Sequence, residues 1–514
     1  MGNNNLIAVI DPGTSNIKVF VGQKGDHGTR LSAGAIEKSS GIRRGEIINT
    51  LHTSDCLART LKKIKDEQGV EINQAYIVCA TEDMACLSKN GDMDRSANLR
   101  ETVISRSELD SMKKDIAEAC KSQGRMVYST IPQVYSVDDW MGLPESEVEG
   151  TMGRHISASY KVITGKSSFA LACGKVLDNV GIEVKGYIVS PIASAYSTLS
   201  EDERELGVAL VDIGSSKTSI VVIKENIVRY VAVISFGGNN ITEDIMKECN
   251  VVREVAEEIK RHHSSCIPAL AEHDRMFVIP SPAGKEKRKY SFDFISEIIG
   301  ARVSEILEAV LWHIEQSGYM EELGMGLVLT GGSSNILHID KLAEQITKLG
   351  TRIGEPSGNI SNDTEINISD PSYSAAIGAI QYCLNEYAQP EYITDFSKNR
   401  FTSVNRKDEN LFTDVENGKG VNKKVERTDA DREGMEKELE RQKEKERRKK
   451  EKEDERARKE EEKARKEEEK RKQREEKERL KEERRKERAS RPGLLDKLKK
   501  SLMDSDMFTD DNEA

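Results

Sequence analysis

The sequence predicts an α/β protein of two related lobes, with an insertion in the first lobe and a long charged tail. Three observations carry that prediction. First, residues 7–22 read IAVIDPGTSNIKVFVG and residues 208–223 read VALVDIGSSKTSIVVI. Displaced by 201 positions, Asp11 falls on Asp212, Gly13 on Gly214, Thr14 on Ser215 and Ser15 on Ser216. Each copy is an apolar strand, a polar Asp-x-Gly turn and a second strand. Solenoid repeats recur every 20–50 residues or so, so this spacing fits duplicated domains instead. Second, the strand hairpins are followed by segments of helical periodicity, the signature of α/β layers. Third, charge is segregated. Of the 53 residues in 436–488, 26 are basic and 21 acidic, which leaves 53 basic and 69 acidic side chains on the other 461.

Along the chain, Thr53-Ser54-Asp55 supplies capping chemistry for a helix with Leu57, Leu61 and Ile64 on one face. A buried strand over 75–80 follows. Residues 84–165 break the pattern with a charged helix near 105–122 and short strands near 126–138 and 156–164, which reads as an inserted subdomain. The first lobe is therefore 1–83 and 166–195. The second, 196–388, opens with the repeated hairpin and continues with helices near 240–249 and 253–263. A long helix over 291–317 carries Ile295, Ile299, Val303, Ile306, Val310 and Ile314 at helical spacing. The strand 326–330 then runs into Gly331-Gly332-Ser333-Ser334. Residues 389–435 are polar and weakly periodic, a linker.

The charged stretch 436–488 admits two readings, solvated disorder or one extended helix. Its Glu-to-Lys/Arg pairs at i,i+4 each add about 0.2–0.5 kcal/mol to an isolated helix. Fully helical, it would reach roughly 80 Å as a spacer. It has no apolar heptads for a coiled coil. The acidic body excludes a protein built around nucleic acid, which needs a clustered basic face. Eight scattered cysteines without a C-x-x-C suggest neither zinc nor disulfides, only small buried side chains in a reducing compartment. No apolar run approaches a membrane span. The opening Met-Gly-Asn-Asn-Asn-Leu has no basic n-region, so no signal peptide is expected, and Leu6 stands where a myristoylation motif needs Ser or Thr.

The two turns and the distal Gly-Gly-Ser form a candidate phosphate-binding constellation. Small residues let backbone N–H groups approach phosphate oxygens, and the hydroxyls of Thr14, Ser15, Ser215, Ser216 and Ser333 add donors. Asp11 and Asp212 suit a hydrated Mg²⁺, which takes a few carboxylates and keeps its waters. Lys18 lies on the strand leaving the first turn, within reach of a phosphate. A single such turn is commonplace; two at matched positions with Gly331-Gly332-Ser333 after a strand point to a nucleotide.

At these residues the sequence resembles the actin, Hsp70 and sugar-kinase superfamily. The two hairpins are similar to its phosphate motifs, VLTGGSS (328–334) to its adenosine motif, and SPIASAY (190–196) to its first connecting helix. Within it, GIRRGEIIN (41–49), IPQVYSVD (131–138), FGGNNITEDI (236–245) and DPSYSAAIG (370–378) resemble the FtsA family of bacterial cell-division actin homologues. The resemblance spans residues 6–388 in order, and 84–165 falls where that family has its extra subdomain. It implies duplicated actin-like, ribonuclease H-like domains that bind ATP or ADP with Mg²⁺. It also implies that Gly237 and Gly238 line the nucleotide and that Glu257 and Lys260 flank its ribose and base; the alternative for that pair is a surface i,i+3 ion pair.

Two departures bear on activity. Ser215-Ser216-Lys217 fills a turn that is glycine-rich in the family, so Lys217 either contacts a phosphate or crowds the pocket. Ser190 stands where a glutamate commonly precedes the proline, which implies weak or absent hydrolysis and a nucleotide that acts as a structural and polymerisation switch. No general base is evident. Adjacent His262 and His263 point about 100° apart on a helix and are poor joint ligands. Trp140 and Trp312 read as core or interface anchors.

Near the end, Leu494, Leu495, Leu498 and Leu502 share one sector of a helical wheel, with Lys497, Lys499 and Lys500 outside it. That pattern suits an interfacial helix on an anionic membrane surface, within the segment 489–514. The alternative is a short helix docking on a protein. Asp496, Asp504 and Asp506 weaken the attraction to anionic lipid, so binding would rely on many copies acting together. The FtsA resemblance implies polymerisation, capture of FtsZ filaments, recruitment of later division proteins, and a place on the cytoplasmic face of the membrane at the septum. The competing readings are a filament of another bacterial process, a small-molecule kinase, and a chaperone. The insertion disfavours the first, the absence of an acceptor carboxylate the second, and the charged tail in place of a β-rich domain the third.

Overall fold

Strand alternation sets the first hairpin: Ile7–Pro12 pairs antiparallel with Asn16–Gly25, which places Asp11 opposite Lys18. The second hairpin repeats this with Val208–Ile213 and Thr218–Lys224, Asp212 standing opposite Ser219. The computed structural model describes residues 6–26, 28–95, 102–262, 265–272, 275–280, 287–384 and 393–394, and the unit that contains them is Met1–Val404. The linker 389–435 apart from 393–394, the charged stretch 436–488, the terminal segment 489–514 and His263 lie outside the described residues. No helix among the described residues is long and apolar enough to cross a membrane.

The first sheet has seven strands in the order Ile360–Asn362, Gly28–Lys38, Asn16–Gly25, Ile7–Pro12, Gln74–Cys79, Glu183–Val189, Ile393–Thr394. Its outermost strands come from far along the chain: Ile360–Asn362 joins this sheet in parallel with Gly28–Lys38, although sequence order groups it with the second lobe. The second sheet has five strands, Ile227–Ile234, Thr218–Lys224, Val208–Ile213, Leu327–Thr330 and Thr351–Ile353. Its opening strand is buried on both faces. Val208 and Leu210 join the core shared with the first lobe, while Ala209, Val211 and Ile213 pack with the Phe292–Ser317 helix through Ile295, Ile299, Val303 and Val310. The period of two along a strand produces that division.

The Thr50–Gln68 helix is capped differently from the sequence reading. Asn49 is the N-cap, its side chain accepting from the His52 N–H, and Thr53 and Ser54 are buried inside the helix. Their hydroxyls donate back to Asn49 O at 2.9 Å and Thr50 O at 2.8 Å, a common use of hydroxyl side chains within a helix. Gly69 ends the helix in the left-handed conformation.

The insertion is a four-stranded antiparallel sheet in the order Ala85–Asp94, His155–Lys166, Arg125–Val137, Trp140–Leu143, with the Arg106–Ala119 helix contributing to its own small core. The two central strands run 13 and 12 residues, and His155–Lys166 extends past the 156–164 of the sequence reading at both ends. Arg95 ties the subdomain together. Its buried guanidinium pairs with Glu108 at 2.8 Å and donates to the carbonyls of Thr102, Val103 and Gly153. Trp140 and Trp312 are 71% and 55% exposed, so neither is a core residue.

Two helices cross between the lobes. Ser190–Thr198 and Ser374–Leu384 approach so closely that a Cβ built on Gly378 would stand 1.9 Å from the Ala193 carbonyl oxygen. Ser197 Oγ seals the crossing by donating to Ser374 O at 2.8 Å. Glycine at 378 is thus a packing requirement, since an added methyl group in a filled core forces neighbours apart. Gly378→Ala is expected to lower stability by about 2–3 kcal/mol, read as a lower urea midpoint with an unchanged slope. An unaltered midpoint would show that the crossing is looser than the geometry indicates.

Candidate functional site

The site is the cleft between the two hairpin turns, a cavity of about 520 Å³, within the range of small-molecule sites. At the first turn, Gly13 N–H donates to Asp11 O at 3.0 Å. A Cβ at Gly13 would lie 2.8 Å from Asn16 O. Ser39, just past the end of the neighbouring Gly28–Lys38 strand, fastens the turn, its N–H donating to Ser15 O and its hydroxyl to Gly13 O. Thr14 Oγ1 accepts from Gly45 N–H at 2.7 Å.

The cross-strand position opposite the aspartate sets the electrostatics of each turn. In the first hairpin it is Lys18, whose ammonium meets Asp11 Oδ2 at 2.8 Å. Burial opposes the charge on Lys18, but Asp11, with Asp212 and Tyr373 beyond it, outweighs burial and holds the amine above its ordinary value of 10.5. In the second hairpin the equivalent residue is Ser219, and the partner the structure gives the Asp212 carboxylate is Ser194 Oγ at 2.7 Å, from the Ser190–Thr198 helix. Burial therefore dominates at Asp212 and pushes its carboxyl above the usual range.

Gly331 closes the far wall. Its φ is +85°, and a Cβ there would stand 2.3 Å from Asp212 Oδ1. Only glycine combines that conformation with so close an approach. Gly332 and Ser333 continue the wall, Ser333 Oγ donating to Gly214 O at 3.1 Å. Beside Ser333, Lys260 Nζ donates to Glu257 Oε1 at 2.9 Å, Thr242 Oγ1 at 2.8 Å and Gly238 O at 3.1 Å. Burial lowers the Lys260 amine. Burial also opposes the charge on Glu257, but Lys260 and the Thr242 hydroxyl hold its carboxyl below the usual range. The i,i+3 ion pair and the cleft wall are thus one feature, not alternatives.

The structure brings Asp11, Gly13, Thr14, Ser15, Lys18, Asp212, Gly214, Ser215, Ser216, Lys217, Glu257, Lys260, Gly331, Gly332 and Ser333 around this cleft. It sets Gly237 and Gly238 behind it. The N–H groups of Gly238 and Asn239 donate to Gly214 O and Ser215 O at 3.0 and 2.6 Å. A Cβ at Gly237 would lie 2.6 Å from Gly214 O. These glycines buttress the second turn, so their smallness serves backbone contact with the turn. Lys217 turns toward the first lobe, donating to Ala80 O at 2.6 Å and Gly45 O at 3.2 Å. Burial lowers its amine and raises the carboxyl of nearby Glu46.

Sequence reasoning missed Asp370, Ser372 and Tyr373, which line the cleft from the segment before the second crossing helix, together with Asn335 and Arg261. The Asp-Pro-Ser start of that segment was a legible capping signal: Asp370 Oδ1 accepts from Ser372 N–H at 2.8 Å. Its position in the cleft is tertiary. The tyrosine ring of Tyr373 rests edge-on against Phe20. No group of three or more His, Cys, Asp or Glu side chains arranged for a directly ligated metal occurs among the described residues.

Two strand hairpins that face one cleft, joined by crossing helices, define an actin-like fold. Among solved structures the "PilM-PilN type IV pilus biogenesis complex" superposes with a TM-score of 0.51 over 74% of this chain and 98% of that one, at 15% identity, a likeness of fold alone. Residues 209–378 match the family model described as "Cell division protein FtsA". The protein of that name from Pseudomonas aeruginosa is 28% identical over 382 residues, 74% of this chain and 90% of the relative. That from Bacillus subtilis is 27% identical over 391 residues, 76% and 86%. Over about three quarters of its length the chain is thus similar to FtsA proteins.

The Lys18–Asp11 pair yields a direct test. Because the folded value of Lys18 lies above 10.5, the pair's contribution is complete below that pH and is lost as pH rises through the folded value. Asp11→Asn removes the main opposing charge and leaves burial in control, so the Lys18 amine falls. At about pH 9 its acylation, followed by peptide mass spectrometry, is expected to accelerate severalfold relative to exposed lysines. Unchanged reactivity would mean that Asp11 does not set the state of Lys18.

Proposed function

We propose that this chain is an ATP-binding, actin-like cell-division protein that polymerises and tethers FtsZ filaments to the inner face of the cytoplasmic membrane at the division septum. There it recruits later division proteins. The observation that carries this reading is the pair of Asp11 and Asp212 turns facing one cleft in a chain similar to FtsA proteins. The relatives' shared name, cell division protein, supports the cellular role.

The donor set fits a magnesium nucleotide. Two carboxylates on opposing turns match an ion that keeps most of its water, and small turn residues leave backbone N–H groups accessible to phosphate oxygens. When bound, Mg²⁺ would neutralise phosphate charge beside Asp11 and Asp212, through water. Lys18 would donate to a phosphate from beside Asp11, and Glu257 with Lys260 would fix the ribose and base side. Ser190 lines the cleft at the start of the crossing helix, and a serine there has no carboxylate with which to activate water. Hydrolysis is accordingly weak or absent, and ATP or ADP acts as a structural and polymerisation switch.

The membrane role rests on the sequence of 489–514. Leu494, Leu495, Leu498 and Leu502 would enter the headgroup boundary while Lys497, Lys499 and Lys500 meet anionic lipid. A single copy of this segment would bind marginally, so filament formation would multiply the attachment. The test is co-sedimentation with anionic liposomes and FtsZ filaments in ATP, comparing the full chain with one truncated after Arg488, each with a lipid-free control. The full chain is expected to pellet with lipid and carry FtsZ with it, while the truncation leaves lipid and FtsZ apart. Equal lipid binding by both chains, or by neither, would overturn the anchoring role.

A further inference from the structure

In the first hairpin the lysine near the turn, Lys18, stays home and pairs with Asp11. In the second, the lysine sits two positions earlier in the repeat, at 217, and leaves its own hairpin altogether. Its ammonium crosses to the first lobe, where it donates to Ala80 O, at the end of the Gln74–Cys79 strand, and to Gly45 O. Glu46 stands 3.7 Å away, and the Lys217 side chain is only 10% exposed.

The receiving loop is shaped for it. Arg44 and Gly45 form a two-residue turn between the short strands Ile42–Arg43 and Glu46–Ile47, with φ of +49° and +69°, the pattern of a tight hairpin turn. A Cβ at Gly45 would lie 2.3 Å from Lys217 Cε and 2.4 Å from Nζ. Gly45 therefore serves the lysine's approach as well as the turn. The same residue gives its N–H to Thr14 Oγ1 in the first Asp-x-Gly turn. Gly45 is gripped from both sides: Thr14 takes its N–H and Lys217 its carbonyl. A continuous chain of protein contacts thus joins the two turns.

We infer that Lys217 is a positioning residue, a tether that fixes the separation of the two turns from the second lobe to the Gly45 loop of the first, and so slows release of the phosphorylated ligand held between them. The nucleotide half of this statement rests on the proposed function; the tether half does not. Lys217 ties the two turns through contacts made within the protein, which removes part of the cost of ordering the site on binding. Its charge-assisted hydrogen bonds to two carbonyls, shielded from water, are of the strong kind.

The test uses the full chain with Lys217→Met, which keeps the length and apolar stem but cannot donate, and Lys217→Arg, which can. Amide hydrogen exchange of peptides covering 41–49 and 80–84 is followed without nucleotide. Peptides from the Val208–Ile213 and Phe292–Ser317 elements report whether each variant is folded. Release of a fluorescent ATP analogue is timed separately. The Met variant is expected to lose protection at 41–49 and 80–84 and to release the analogue about tenfold faster, as loss of charge-assisted bonds predicts. The Arg variant should fall between it and the parent. Unchanged exchange in the folded Met variant overturns the tether, and equal impairment of Met and Arg would assign the effect to packing instead of donation. If the parent binds no nucleotide yet the Met variant still loses protection at 41–49, the tether stands and the nucleotide reading fails.

Discussion

Two carboxylates at the floor of one cleft are the constraint around which this molecule is arranged. Buried negative charge is costly unless it is paired or hydrogen-bonded, and the two copies of the same hairpin meet that cost differently. Asp11 is neutralised by the lysine across its own strand pair. Asp212 instead takes a hydroxyl from the crossing helix and lies against a glycine with no side chain to shield it. The duplicated fold supplies symmetric scaffolding, and the substitutions within it make the two halves unequal: one turn is electrically satisfied, the other poised to accept positive charge.

That inequality reaches outward through glycines and hydroxyls. Gly331 must be glycine because of Asp212, Gly237 because of the second turn, and Gly45 because of Lys217. The crossing helices carry the same logic into the interlobe core, where Gly378 lets them approach and Ser197 and Thr330 satisfy buried groups, both bonding to Ser374. Movement of one lobe relative to the other has to respect this crossing, since packed cores rearrange between discrete arrangements more readily than they deform continuously.

Much of this was legible in the sequence, for a physical reason. Repeated turns announce themselves because Asp-x-Gly chemistry is local, and the long amphipathic helix announces itself by periodicity. What the sequence did not disclose is tertiary. Nothing local distinguishes Asn49 from Thr53 as the cap, because both residue types serve in that role. The resemblance implied that Gly237 and Gly238 line the nucleotide, and nothing local separates that use of a small residue from backbone packing against the second turn. Trp140 and Trp312 have the composition of core residues, yet each lies on an exposed face. The sequence reading left Lys217 between phosphate contact and crowding, and it took the position of Gly45, 172 residues earlier, to reveal its actual partners.

The decisive quantity is the amount of ATP bound per chain at equilibrium, with Mg²⁺ and with chelator, for the parent and for a variant carrying Asp11→Ala and Asp212→Ala. The expected result is about one ATP per chain, weakened by chelator and abolished in the double variant, because one cleft would hold one metal–nucleotide complex between two carboxylates. Binding that survives the loss of both aspartates, or no binding by the folded parent, would contradict it.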